Sequence, residues 1–527
     1  MSNGTLLVEN ERLKKLVESQ AKELQSTKNI VAQLQEQVHL LQALHFGTKS
    51  EKLTNEDKKQ ASLFNEAEVA AMPAFENHDE IKPEIQTVKA HTKTVRKGAG
   101  RKALSEELPR EIIEYDIDEE DKTCACGTVK VCIGEDVSER LCIVPAKVVV
   151  RREIKKKYAC RNCEGTTDDS AGVQTAKGTK HLIAGSIADE SLLAWSINEK
   201  FEYALPFYRQ SKRLKAIGAD IPRATLSTLA IRCAENCRPL YELLKDNIKN
   251  GPVINADETR VQVLKEPGRK AQDKSWMWVF LGGEPDKKSV VFQYEKGRSH
   301  EIPYDFLQNY KGWLQTDDYE AYHTALKKLR RDGNKSVKHV LCWAHARRYF
   351  YKYWEISKSS DAKQILDLIK KLFELEDLRA DFSKKGFQKQ RKNRAGPILK
   401  QLFELMTKYA ALTPPTLAFG KAISYTLDNW EQLKLYLNDP LLTPSNNIAE
   451  IAIRPFVIGR KNWLFSDTER GAESSAILYS LVESVKLQNL SVYDYFYFIF
   501  RQLPYCEKTA DYEKLLPFNL TAEQIKS

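Results

Sequence analysis

Near its amino end the chain repeats apolar residues at alternating four- and three-residue steps: Leu6, Leu13, Val17, Leu24, Val31, Leu34, Val38 and Leu41. Polar Asn10, Gln20 and Thr27 fill the remaining seam positions. A 3.5-residue period held over five proline-free heptads predicts a coiled coil over residues 5–46, with Asn10 able to fix register. A single amphipathic helix packed on its own domain is the plainer alternative. The period then stops. Residues 47–107 are acidic and polar from Glu66 to Glu84 and turn basic from Lys89 to Lys102. That composition predicts a flexible linker with a cationic end.

Short β-like runs occupy residues 108–166, and residues 180–250 read as helical. Beyond Gly251, apolar runs of strand length appear at Pro252–Leu264, Trp276–Leu281 and Val290–Tyr294. A helix over His300–Tyr310 follows, with further strands at Trp313–Thr316 and Val337–Leu341. This succession predicts an α/β sheet layer within residues 251–470, broken by a large helical insertion at about 351–440, and then a helical tail over 471–527. The fold class expected is multidomain α/β.

The 527 residues are 42% apolar and 29% charged, which is globular composition with material for several domains. No apolar run approaches the ~18–20 residues of a membrane span. The first residues lack a signal-peptide pattern, so a cytoplasmic protein with reduced thiols and no membrane partner is expected. Ten cysteines in that setting suggest metal ligation or core packing. A net charge of +10 permits a nucleic-acid partner without requiring one.

Three groups of residues carry candidate chemistry. Cys124-x-Cys126 and Cys160-x-x-Cys163 are two close thiolate pairs, each at a tight turn, which can set four sulfurs around a structural Zn²⁺. Cys132 and Cys142 remain nearby alternatives, and unliganded buried cysteines are the bland reading. Leu192–Asn198, Pro206–Ile217 and Pro222–Cys233 read as three helices, with Gly218 breaking the second from the third. Helix, glycine-containing turn, helix is an arrangement that enters a major groove, and Arg209, Lys212 and Arg213 line the second helix. Asp257 and Asp317 each end an apolar run, where a carboxylate is costly unless paired or metal-bound. Glu450 follows the polar cap Ser445-Asn446-Asn447 by a helical turn. Were the two strands neighbours, the three acids would hold two Mg²⁺ ions for displacement at phosphorus, with ordinary salt bridges as the alternative for each acid.

These residues carry a resemblance. Leu314-Gln315-Thr316-Asp317, Cys342-Trp343-Ala344-His345-Ala346-Arg347-Arg348, Asn446-Asn447-x-x-Glu450 and Ile453-Arg454-Pro455 through Gly459-Arg460-Lys461-Asn462-Trp463-Leu464-Phe465 resemble motifs of the insertion sequence 66 family of DDE transposases. Phe46-Gly47-x-x-Ser50-Glu51-Lys52, Ile133-Gly134-Glu135-Asp136 and Leu205-Pro206-x-Tyr208-Arg209-Gln210 are similar to its earlier segments. The resemblance runs in order along nearly the whole chain. It implies an RNase H-like catalytic domain with a helical insertion, preceded by a coiled coil, a zinc-binding module and a helix-turn-helix-like DNA-binding domain. It implies that Asp257, Asp317 and Glu450 are catalytic ligands of two Mg²⁺ ions, with Mn²⁺ as a substitute. The implied partners are element-end and target DNA at the nucleoid, a second copy of the chain through the coiled coil, and small accessory proteins. Two departures stand out. The first cysteine pair has one spacer residue where the family usually has two, and Asp318 stands where the family often has glycine.

His345 falls just past the strand after Asp317, where an imidazole could bond the scissile phosphate, orient water, or offset charge if protonated. A capping or core histidine is the alternative. Arg460 and Lys461 follow Gly459 on the helix of Glu450 and are expected to face DNA phosphates. Three functions remain open: an active transposase, a non-catalytic repressor derived from one, and a structure-specific nuclease. For the cysteine module, purified protein is expected to carry one Zn²⁺ per chain, lost in Cys160→Ser and Cys163→Ser variants. Unchanged zinc by metal analysis in both would exclude this ligand set.

Overall fold

The computed structural model describes residues 12–20, Thr27, Val31, Val38, 147–159 and 173–526. Residues 12–20 are helical, and the heptad residues Leu13 and Val17 are 52% and 64% exposed. The rest of the 5–46 segment, the linker and the four cysteines Cys124, Cys126, Cys160 and Cys163 lie outside the described residues. A short antiparallel pair, β1 (Lys157–Ala159) with β2 (Val173–Thr175), precedes the main body.

Four helices come first. In α1 (Glu190–Phe201) the Asp189 carboxylate caps the backbone amides of Ser191 and Leu192. α2 (Phe207–Ala216) and α3 (Arg223–Asn236) are separated by a turn in which Gly218 takes φ +91°, a conformation open to glycine. Leu214, Ile221 and Leu226 form a small core of their own there, closed by Leu192, Trp195 and Phe207. α4 (Arg238–Asn250) then leads into the sheet.

The sheet runs β5-β4-β3-β6-β7. β3 (Val253–Lys265), β4 (Lys274–Gly282) and β5 (Ser289–Glu295) are an antiparallel meander. β6 (Gly312–Thr316) and β7 (Val337–Leu341) continue it in parallel with β3. α5 (Glu301–Leu307) and α6 (Glu320–Arg331) make the connections. Strand alternation divides the central residues between two faces. On one face Phe280 stacks on Phe306 of α5 at 3.8 Å, and Trp278 meets Tyr322 of α6 edge-on at 5.8 Å. On the other, Phe292 lies against residues from the carboxyl-terminal helices. Both faces are covered, so β4 is apolar along nearly its whole length.

The insertion follows β7. It comprises α7 (Trp343–Ser357), α8 (Ser360–Glu374), α9 (Lys384–Leu412), α10 (Ala418–Asp428) and α11 (Trp430–Lys434), which share a second core built on Trp343, Phe350, Ile369 and Leu402. Its most costly residue is Arg391, whose side chain is wholly buried. Arg391 donates to the carbonyls of Tyr436 and Asp439 at 2.6 Å and of Leu442 at 2.9 Å, and pairs with Glu376 at 3.4 Å. Arg379 adds bonds to the carbonyls of Pro440 and Leu442. Two guanidinium groups thus fix the stretch 436–442, a short 3-10 turn ending at Asn438 and the irregular chain after it, by satisfying carbonyls that no sheet or α-helix takes up.

That stretch delivers the chain to α12 (Asn447–Trp463). Then β8 (Ser466–Thr468) pairs in parallel with the far end of β3, and α13 (Glu469–Leu487) and α14 (Val492–Gln502) follow. Phe456 of α12 and Tyr479 of α13 are the residues that meet Phe292. α12 lies so close to α13 that a side chain at Gly459 would collide with the Tyr479 hydroxyl. Among the described residues no helix is long and apolar enough to cross a membrane. Arg391→Met keeps the stem but strips the Tyr436 and Asp439 carbonyls of their guanidinium donor and leaves Leu442 and Glu376 to Arg379 alone, and is expected to cost about 3–5 kcal/mol, read as a fall in thermal midpoint. A wild-type midpoint would mean that the 436–442 stretch is held by other contacts.

Candidate active site

The register of β3 and β6 brings the first two acids together. Val253 stands beside Trp313, Ile254 beside Leu314 and Asn255 beside Gln315. Carried two residues further, that register sets Asp257 next to Asp317, which directly follows β6. Asp317 lies just past the carboxyl end of β6, and Asp257 lies within β3, two residues beyond its last pairing with β6.

The third acid is set by a network of buried amides. The Asn255 side chain donates to the side-chain oxygens of Asn446 at 2.9 Å and Gln315 at 3.3 Å. Asn446 in turn donates to the Ala256 carbonyl at 2.9 Å, and Gln315 to the Thr443 carbonyl at 2.6 Å. From the other side the Asn446 backbone amide meets the Cys342 sulfur at 3.2 Å, and the Trp343 amide donates to the Pro444 carbonyl at 2.8 Å. Residues 443–446 are therefore clamped between the strand ends and the start of α7. Helix α12 begins immediately afterwards, and buried Glu450 lies in its first turn. His345, at the start of α7, brings Nδ1 to 4.0 Å from the Glu450 carboxylate.

The electrostatics of the cluster are those of crowded acids. Burial pushes the Asp257 carboxyl well above its usual range, and Glu258, Asp317 and Glu450 push it further. Asp317 is raised to about 7, chiefly by burial and then by Glu258, against an opposing hydrogen bond from the Tyr319 amide. Burial lowers His345 to about 3, so its ring is neutral at pH 7. A neutral imidazole can accept or donate a hydrogen bond, which suits it to orienting a water or an attacking oxygen. The three acids are neighbours without closing on one point: among the described residues no three His, Cys, Asp or Glu side chains stand close enough to hold a metal ion together.

Two further carboxylates border the site. Asp318 is engaged, by His323 at 2.6 Å and by the Asn429 amide at 2.8 Å. Glu258 escaped the sequence reading. Its side chain is 1% exposed, bonded by Arg298 Nε at 2.9 Å and by the Tyr322 hydroxyl at 2.7 Å. Arg298 stacks on Tyr319 at 3.5 Å, and Tyr319 gives its amide to Asp317. Asn255 and Gln315 were missed too. The signal was available, because a polar side chain inside an apolar run raises the question already asked of Asp257.

Of the basic residues singled out, Arg209, Lys212 and Arg213 project from α2 into solvent, and Arg213 pairs with Glu199 at 3.3 Å. Lys461 is exposed, while Arg460 is half-buried and donates to the Thr259 hydroxyl at 3.3 Å, beside the acids on β3.

Comparison with known proteins bears directly on this site. The family described as "Transposase IS66 family" matches residues 185–474, more than half of the chain. The chain belongs to the IS66 transposase family. The matched span carries all three acids, His345 and the insertion. The "zinc-finger binding domain of transposase IS66" matches residues 121–164, which contain the four cysteines. A third family segment, "Transposase C of IS166 homeodomain", matches residues 33–113. The chain is 30% identical over 512 residues to uncharacterized protein y4jD of Sinorhizobium fredii, covering 95% of this chain and 97% of that one. It is 29% identical over 503 residues to uncharacterized protein y4qI of the same organism, covering 94% and 90%. This IS66 family member thus combines a zinc-finger module with a mixed α/β body.

The amide network gives a direct test. Asn446→Ala leaves the Asn255 amide and the Ala256 carbonyl without their partner, and is expected to cost about 2–4 kcal/mol. Hydrogen exchange should quicken at residues 446–450 before the rest of α12. Unchanged exchange there would show that the helix start is fixed by other means.

Proposed function

We propose that this chain is an active DNA transposase whose Asp257, Asp317 and Glu450 bind two divalent cations, Mg²⁺ or Mn²⁺, where β6 ends beside β3. The observation that carries this reading is the shared register of the two strands together with the amide clamp that sets α12 against them. Three acids from distant parts of the chain, each costly where it is, are neighbours in the fold. The charged neighbours that act most strongly on Asp257 are the acids Glu258, Asp317 and Glu450. Carboxylate oxygens are the donors that hard cations prefer, so the donor set fits. Bound there, the cations would activate a water or a 3′-hydroxyl for attack on a phosphodiester.

The chain's own groups have definable tasks. Asn446 and Asn255 hold Glu450 at its distance from the strands. Glu258, neutralised by Arg298 and Tyr322, keeps Tyr319 where its amide supports Asp317. His345, neutral and beside Glu450, can orient an attacking oxygen by hydrogen bonding. The sheet order, an antiparallel meander followed by two parallel strands with helices on both faces, supports an RNase H-like core over residues 251–470. Residues 180–250 serve as the helical DNA-binding domain, with Arg209, Lys212 and Arg213 on phosphates. Arg460 and Lys461 lie closer to the cut. Cys124, Cys126, Cys160 and Cys163 hold the structural zinc. The exposed heptad residues of 12–20 favour pairing of two copies through residues 5–46, which lets one assembly hold two DNA ends.

The test uses the full chain and duplexes carrying the terminal repeats of its element. Asp257→Asn, Asp317→Asn and Glu450→Gln are expected to bind these duplexes and to lose both cleavage and joining to target DNA. His345→Ala should lower cleavage about a hundredfold with a wild-type thermal midpoint. Mg²⁺ at about one hundred times its Kd should stabilise the wild type by about 2.7 kcal/mol, and the acid variants far less. Cleavage without joining would favour the nuclease, and binding without cleavage by the wild type would favour the repressor.

A further inference from the structure

Helix α12 ends in a turn that its own capping does not require. Leu464 takes φ +65° and ψ −52°, a conformation that side-chain-bearing residues rarely adopt. Such a residue stores backbone strain. The Phe465 amide donates to the Trp463 carbonyl at 2.8 Å and closes a three-residue turn around it. Leu464 is 64% exposed and Phe465 43% exposed. Two large apolar side chains therefore stand in water at a strained point of the backbone.

A turn free to relax would shed the strain and fold both side chains onto apolar surface. This one is fixed at both ends. Ahead of it, the Leu464 amide bonds the Arg460 carbonyl at 2.6 Å, Trp463 packs on Phe456 at 5.5 Å, and the Asn462 amide reaches the Ala204 carbonyl at 3.0 Å. Behind it, β8 is paired to β3 through Ser466 and Thr468. The surroundings are cationic: Arg460 and Lys461 occupy the last turn of α12, and among the described residues neither is paired with a carboxylate. An apolar tip flanked by unpaired cations complements a partner with an apolar interior between anionic rails. Stacked base pairs between phosphates have that chemistry, and apolar side chains of this kind enter base steps and unstack them.

We propose that Leu464 and Phe465 form a wedge that enters one base step of the duplex held at the active site, with Arg460 and Lys461 on the adjacent phosphates. The proposal rests on the transposase reading above. Its position follows from α12. Fourteen residues separate Glu450 from Leu464, about 21 Å of helix at ~1.5 Å per residue. At ~3.4 Å per base pair the opened step lies within about six steps of the cut phosphate.

The experiment uses the full chain, Ca²⁺ in place of Mg²⁺ to hold DNA uncut, and terminal-repeat duplexes with 2-aminopurine placed at successive steps. The wild type is expected to raise fluorescence several-fold at one or two adjacent steps in that interval. The double variant Leu464→Gly, Phe465→Ser should abolish the rise. Glycine relieves the strain at position 464, so this variant should melt no lower than wild type, and loss of signal cannot be assigned to unfolding. A rise that survives in the variant overturns the wedge. So does a fall in the mass of the DNA-free variant by light scattering, which would make the patch a contact between copies. Failure of the wild type to bind these duplexes at all would overturn the transposase reading itself, and the wedge with it.

Discussion

The Asn446 side chain joins β3 to the start of α12 at a defined distance. Its oxygen accepts a hydrogen bond from Asn255, its nitrogen donates one to the Ala256 carbonyl, and its backbone amide donates to the Cys342 sulfur. A neutral amide can both give and accept, whereas a buried carboxylate could only accept. Because these groups are buried, breaking the network leaves polar atoms without water to replace their partners. The sheet, the insertion and α12 are consequently held in one arrangement, and Glu450 inherits its place from it.

Acids gathered on neighbouring strands repel one another and resist burial, which pushes the Asp257 and Asp317 carboxyls upward. Such a cluster persists in a folded chain only where other interactions over-determine it. Here the amide clamp supplies that support on one face of β3, and the Glu258–Arg298–Tyr322 group supplies it on the other. Arg298 does not reach Asp257 with a direct bond. It neutralises Glu258, and so lessens the charge that Asp257 and Asp317 face from below.

Much of this was legible before the structure. The apolar runs around Ile254, Val279 and Val291 had the length and continuity of buried strands, and the structure has β3, β4 and β5 there. Asp257 and Asp317 stood out because charge inside such runs is costly, and Glu450 because a polar cap precedes it. Register was not legible: nothing local says that Asn255 pairs with Gln315, since that depends on which strands become neighbours. The Arg391 clamp was hidden for the same reason. A lysine- and arginine-rich helix reads as a solvated surface, and only the folded chain reveals that Arg391 turns inward to the carbonyls of a segment some fifty residues away. His345 was placed correctly at the start of a helix, but its charge state depends on burial that sequence does not display.

The same Arg391 has a bearing on how such a chain can be recombined. The segment 436–442 belongs by sequence to the boundary between insertion and sheet, yet its carbonyls are satisfied from α9 and from Arg379, inside the insertion. The insertion is thus not a passenger that can be exchanged at its two ends. A chimera that joins the sheet of one relative to the insertion of another would carry two halves of a hydrogen-bonding set that were never matched. The natural unit of exchange includes the insertion, the segment after it and the first turn of α12, and a splice inside that unit separates the third acid from the framework that aims it.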